Sequence, residues 1–121
     1  MYQHHVTGNY GEQLAQTYLA EHGFTILGCN VQSRWAEIDI IAKQGEVIYF
    51  FEVKTRRTLR YGHPYAAVSR RKLIKIRNLA WLYVQRQHLS YRALSLGVVG
   101  VILQPEKVPV ISHISYIDLL L

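Results

Sequence analysis

Between Ala36 and Arg57 apolar and polar side chains alternate in two runs, AEIDIIAKQ and EVIYFFEVKTRR, separated by a single glycine. A period of two marks strands and the break over 43–46 marks a tight turn, so the stretch predicts a β-hairpin. Glu37 and Asp39 share a face of the first strand, and Glu52 and Lys54 share a face of the second. A loop of two or four residues sets odd positions of the first strand opposite even positions of the second. Asp39 and Glu52 then become opposite or diagonal neighbours, roughly 5 to 8 Å apart at Cβ, with Lys54 at the edge far from the turn.

The rest of the chain supplies the partners of this hairpin. Leu14, Ala15, Tyr18 and Leu19 recur at helical spacing and predict a helix over 9–22, stopped by Gly23. Asn9 suits its N-cap, and Glu12, three residues on, either closes a capping box or projects from the first turn toward the hairpin. Residues 24–32 read as a strand. A second helix runs to about Gln87, capped by Ser69, with Leu73, Ile76, Ala80 and Tyr83 on its core-facing stripe. The apolar run 94–103, broken by Gly97 and Gly100, predicts a buried central strand. A last strand follows over 110–114, and 115–121 is expected to form a helical turn. Residues 58–65, with Arg60, Gly62 and Pro64, read as a loop that a ligand can order. Helix, three strands, helix, two strands is the order of an α/β single domain, 1–121 with 1–7 as a flexible leader. Its mixed central sheet of about five strands is flanked by two main helices.

Composition narrows the class. Half of the 121 residues are hydrophobic, enough for a core without staples and too many for a disordered chain. The longest apolar runs are too short to span a bilayer and no signal segment opens the chain, so the expectation is a cytoplasmic protein with no membrane partner. The single cysteine, Cys29, cannot make an internal disulfide or a thiolate zinc cluster. His4 and His5 are expected to be surface residues of the leader.

Charge adds a partner. The formal net charge is +6, nine of the fourteen Lys and Arg residues lie between Lys54 and Arg77, and no acidic residue occurs from Val53 to Pro105. A field of one sign attracts polyanions, nucleic acid first, unless it is simply a solubilising face. Arg70, Arg71, Lys72, Lys75 and Arg77 crowd the first half of the second helix, where its dipole disfavours cations by several tenths of a kcal/mol; phosphate contact would account for them. Arg34 and Trp35, just before Glu37, offer a contact to phosphate and base, or Trp35 packs on the sheet. The paired carboxylates complete the picture. They repel one another unless a cation joins them, and Mg²⁺ accepts one or two carboxylates at about 2.1 Å while keeping waters. The alternative is an ordinary solvent face on which Glu52 and Lys54 form an exposed pair.

An Asp on one strand and Glu-x-Lys at the end of the next, Asp39 with Glu52-Val53-Lys54, resembles the PD-(D/E)xK nuclease superfamily. More closely, GNYGEQLAQTYL, RWAEIDIIA, FFEVKTR and YGHPYAAVSRRKLIKI resemble the YraN family (uncharacterised protein family 0102), which is similar to archaeal Holliday junction resolvases. The resemblance implies a restriction-endonuclease-like core. It implies Asp39, Glu52 and Glu12 as ligands of Mg²⁺ or Mn²⁺, Lys54 as the catalytic lysine, and Glu37 as a residue that steadies the site or meets the metal through water. Two stretches depart from the family: Ala36 stands where Gly is usual, and Ser95, Leu96 and Gly97 stand where Arg-Phe-Asp is common.

The function so implied is divalent-metal-dependent hydrolysis of DNA, branched or structured DNA included. Arg34, Arg56, Arg57, Arg60, Arg70, Arg71, Lys72, Lys75 and Arg77 would grip phosphates, and a homodimer is expected from the resemblance to resolvases. A nucleic-acid-binding protein that keeps the nuclease fold without catalysis needs only the basic surface; an adaptor that binds another protein through a sheet edge or tail needs neither.

Overall fold

The computed structural model describes residues 9–58 and 69–118. His4, His5, Arg60 and most of the expected 58–65 loop fall outside the described residues, as does the side chain of Asn9. The elements are α1 (Asn9–Glu21), β1 (Thr25–Gln32), β2 (Glu37–Gln44), β3 (Val47–Arg56), α2 (Arg70–Arg86), β4 (Ala93–Ile102) and β5 (Val110–Asp118). The strands form one sheet in chain order. Every neighbouring pair is antiparallel except β3–β4, which is parallel and is bridged by α2; parallel neighbours require such a crossover. The protein is therefore α/β, with a five-stranded mixed sheet and two helices, as the patterning predicts.

Local chemistry sets the boundaries. α1 stops at Gly23, which takes a left-handed φ of 88°, while the N–H of Phe24 donates back to Leu19 O at 3.0 Å. Such a turn removes the helix's last carbonyls from water with no Cβ penalty. Gly45, with φ 62°, closes the β2–β3 hairpin at the pair Gln44–Val47. Ser69 caps α2, its hydroxyl accepting from the Lys72 N–H at 3.2 Å.

Each helix covers one face of the sheet. Ile76, Leu79, Ala80 and Val84 of α2 pack with Val31, Ile38, Ile41, Ile48, Phe50, Leu94 and Leu96. On the other face Ala15 and Leu19 of α1 pack with Phe24, Ile40, Ala42, Phe51, Val99 and Val101. Burying a side chain such as Phe50 or Phe51 contributes about 1.5–3 kcal/mol, so the central strand anchors both layers. The hairpin has one irregularity. Ile38 and Ile40, two residues apart, belong to opposite faces, whereas strict alternation would place them together. β2 thus turns over across Asp39, and beside it in β1, between the pairs Cys29–Ile40 and Val31–Ile38, the buried Asn30 takes a left-handed φ of 51°.

Two details differ from expectation. β4 is an interior strand but not the central one, which is β3. Residues 115–118 continue β5 instead of turning into a helix, because a register shift between Leu96 and Gly97 lets Ser115 pair with Gly97 and Asp118 with Ser95. Packing accounts for the glycine at 97: a Cβ there would lie 2.6 Å from the Ile114 carbonyl oxygen and 2.7 Å from Cε1 of Phe51. A larger residue at 97 would point into the α1-side aromatic packing. Gly97→Ala is expected to destabilise the fold by about 1–3 kcal/mol through overpacking against a backbone oxygen that cannot rotate away; urea denaturation measures this, and an unchanged midpoint would contradict it.

Candidate functional site

The β2–β3 ladder ends at the pair Ile40–Phe51, one step short of Asp39 and Glu52. β3 continues beside β4 through Glu52–Val98 and Lys54–Gly100, but on its β2 side the backbone pairing has stopped. The Asp39 carboxylate takes its place, Oδ2 accepting from the Val53 N–H at 2.7 Å. A side chain thereby satisfies a main-chain donor that the sheet leaves open, and the two acids meet at a notch instead of within a closed ladder.

Glu52 is held from two elements. Its Oε1 accepts from Lys54 Nζ at 3.0 Å on the same strand and from Lys72 Nζ in the first turn of α2. Its other oxygen, Oε2, is buried and has no hydrogen-bond partner among the described residues. Burial, opposed by the Val53 N–H and reinforced by the carboxylates of Glu12, Glu37 and Glu52, pushes the Asp39 carboxyl up to about 7. Burial works against the Lys72 ammonium, but its hydrogen bond to Glu52 and the fields of Glu52 and Asp39 outweigh that and hold it above the usual lysine range.

These residues open onto a cleft of about 270 Å³ bordered by Trp35, Glu37, Asp39, Glu52, Lys72 and Lys75. Glu12 enters the site from α1 through its field on Asp39. α1 lies close there: a Cβ on Gly11 would be 2.1 Å from Oγ1 of Thr55, the residue after Lys54. Burial and then the Glu12 field raise the Cys29 thiol, which keeps it protonated and unreactive near neutral pH.

The structure divides the remaining basic residues. Lys72 and Lys75 border the cleft, Arg34 lies over the Trp35 ring with Cζ 5.2 Å from its centroid, and Arg70, Arg71 and Arg77 are exposed along α2. Arg56 is partly buried, its Nε without a hydrogen-bond partner among the described residues. Arg57 borders a different hollow, beside Tyr10, Leu103 and Lys107. Lys72, expected from the sequence to contact phosphate, bonds Glu52; the one local signal of this is the Ser69 cap, which fixes the first turn of α2 and so aims Lys72. Among the described residues, no three Asp, Glu, His or Cys side chains are gathered within reach of one ion, so Asp39 and Glu52 are drawn together without a closed three-donor set. No described helix is long and apolar enough to cross a membrane.

Fold and site together define a small α/β protein with a carboxylate–ammonium cluster where a β-hairpin parts. The sequence profile of Uncharacterised protein family UPF0102 matches residues 11–101. The chain belongs to that family. It is 44% identical to the UPF0102 protein of Syntrophus aciditrophicus over 83% of this chain and 79% of the relative. It is 42% identical to that of Trichlorobacter lovleyi over 88% and 85%, and 36% identical to that of Dictyoglomus turgidum over 82% and 84%.

The raised Asp39 carboxyl makes stability depend on pH with a definite sign. Between an ordinary value of 3.8 and about 7 the folded protein keeps a proton that the unfolded chain has released. Asp39 therefore costs nothing below about pH 4 and lowers stability progressively as pH rises to about 7, by a few kcal/mol in all. Urea denaturation in chelator across this range is expected to give a declining stability that Asp39→Asn flattens. Parallel curves for the two proteins would refute the assignment.

Proposed function

We propose that this protein is a divalent-metal-dependent phosphodiesterase acting on DNA, branched or structured DNA included. The observation that carries the reading is the meeting of Asp39 and Glu52 beside the Lys54 ammonium at the mouth of a cleft bordered by lysines. The residues fit a hard dication: Glu52 Oε2 is a buried acceptor lacking a partner among the described residues, and Asp39 sits among three further carboxylates. Two carboxylates with water completing the shell suffice for such an ion. Mg²⁺ or Mn²⁺ held by Asp39 and Glu52, with Glu12 adding charge, would polarise the phosphate and acidify a water.

The chain's own groups do the rest. Lys54 orients the attacking water or offsets charge that develops on the phosphate. Lys72 and Lys75 neutralise the backbone across the cleft, and Arg34, Arg70, Arg71 and Arg77 extend that contact without reading sequence. Because Asp39, Glu52 and Lys54 stand on strands, their spacing is fixed before substrate arrives. The resemblance to the PD-(D/E)xK nucleases, with the same residue types in the same order on the same elements, supports this reading. A second reading, DNA binding without catalysis, is favoured by the two ammonium groups on Glu52 Oε1, which neutralise the site internally.

The test is a panel of linear, flap and four-way DNA with Mg²⁺ or Mn²⁺. Cleavage is expected to vanish with chelator and to fall about 100-fold or more in Glu52→Gln and Lys54→Ala, while binding in chelator weakens steeply with salt. Substrates bound but left intact with every metal would establish the second reading; equal activity of wild type and variants would refute the site.

A further inference from the structure

The rim of the cleft carries a residue that hydrolysis does not use. Trp35 is 69% exposed, and the turn presenting it is closed by three hydrogen bonds. The Ser33 N–H donates to Ala36 O at 2.9 Å, and Ser33 Oγ accepts from the N–H groups of Trp35 and Ala36 at 3.2 and 3.1 Å. The indole is thus held outward by a built turn. The Arg34 guanidinium over the ring is in cation–π contact with it, which steadies the ring plane and places positive charge beside it.

The ring borders two hollows. One is the cleft with Asp39 and Glu52; the other is a trough of about 210 Å³ along α2, bordered by Ser33, Lys75, Asn78, Leu79 and Leu82. Lys75 also borders both. An aromatic wall, two leucines, one amide and an ammonium match a flat ring with apolar faces and a polar edge, joined to a phosphate. A nucleobase has that form, and aromatic walls bind bases by stacking. Bases inside a duplex have both faces covered, so only an unpaired or extruded base can enter.

We infer that the trough between Trp35 and α2 is a nucleobase subsite, which takes one unpaired base of a strand whose adjoining phosphate lies in the Asp39–Glu52 cleft. The protein then favours DNA with a single-stranded or unstacked nucleotide next to the point of attack. This deepens the proposed function and rests on it for the identity of the polymer.

The test is binding in chelator, by anisotropy, of a single strand of about a dozen nucleotides, a gapped duplex and a blunt duplex. Trp35→Ala is expected to weaken the first two about 10-fold and the blunt duplex less than about twofold, with Trp35→Phe retaining most of the affinity. Lys75→Ala should weaken all three alike. Equal losses in Trp35→Ala across the three ligands, or no loss, would overturn the subsite alone, provided circular dichroism shows an unchanged fold. Failure of the wild type to bind any of them would overturn the subsite and the DNA reading together. A selective Trp35 effect without cleavage by the metal-loaded protein would uphold the subsite and defeat only the hydrolysis.

Discussion

The hydrogen bond from the Val53 N–H to the Asp39 carboxylate is the constraint on which the site depends. A strand edge left open in a protein interior must find acceptors for its amides. Here the β2–β3 ladder stops after Ile40–Phe51, and the amide just past it is satisfied by an acid. That bond fixes Asp39 against the strand that carries Glu52 and Lys54, and it does so where backbone pairing no longer fills the space. The opening is what lets Asp39, Glu52 and Lys72 border one cleft.

Charge is arranged around this notch with little slack. Four carboxylates, those of Asp39, Glu12, Glu37 and Glu52, act on the same place, and Lys54 and Lys72 bring their cations to it. Glu52 is half answered: one oxygen is shared between two lysines and the other is buried with no partner among the described residues. A buried acceptor in that condition costs free energy unless something fills it. Lys72 is aimed at the site by the Ser69 cap that starts α2, so a purely structural device acts on the electrostatics of Glu52, a strand residue twenty positions before Lys72.

Much of this was legible from the pattern of side chains. The alternation on either side of Gly45 was enough to pair β2 with β3 and to make Asp39 and Glu52 opposite or diagonal neighbours, because a loop of two or four residues sets odd positions of one strand against even positions of the other. Gly23 and Ser69 marked a helix end and a helix start by chemistry that acts within a turn. What escaped was non-local. The Ser69 cap aims Lys72 but does not identify Glu52 as its partner, since the contact is made by the crossover of α2 onto the sheet. The reversal of β2 at Asp39 was hidden because Glu37, Asp39 and Ile38, Ile40 alternate faultlessly in sequence; the turn-over arises beside Asn30 on the neighbouring strand. The strand over 115–118 escaped for the same kind of reason, its pairing depending on a register shift at Gly97.

The end of the hairpin is asymmetric. β3 is clamped to β4 along its full length, through Arg56–Ile102, whereas beyond Ile40 the tip of β2 is joined by backbone pairing to β1 alone, through Ile38–Val31 and Glu37–Gln32. Glu52 and Lys54 therefore sit on main chain paired to β4, while Asp39 is tied across to β3 by its carboxylate. The two sides of the cleft are thus built unequally, one on a continuous ladder and the other on a single side-chain bond.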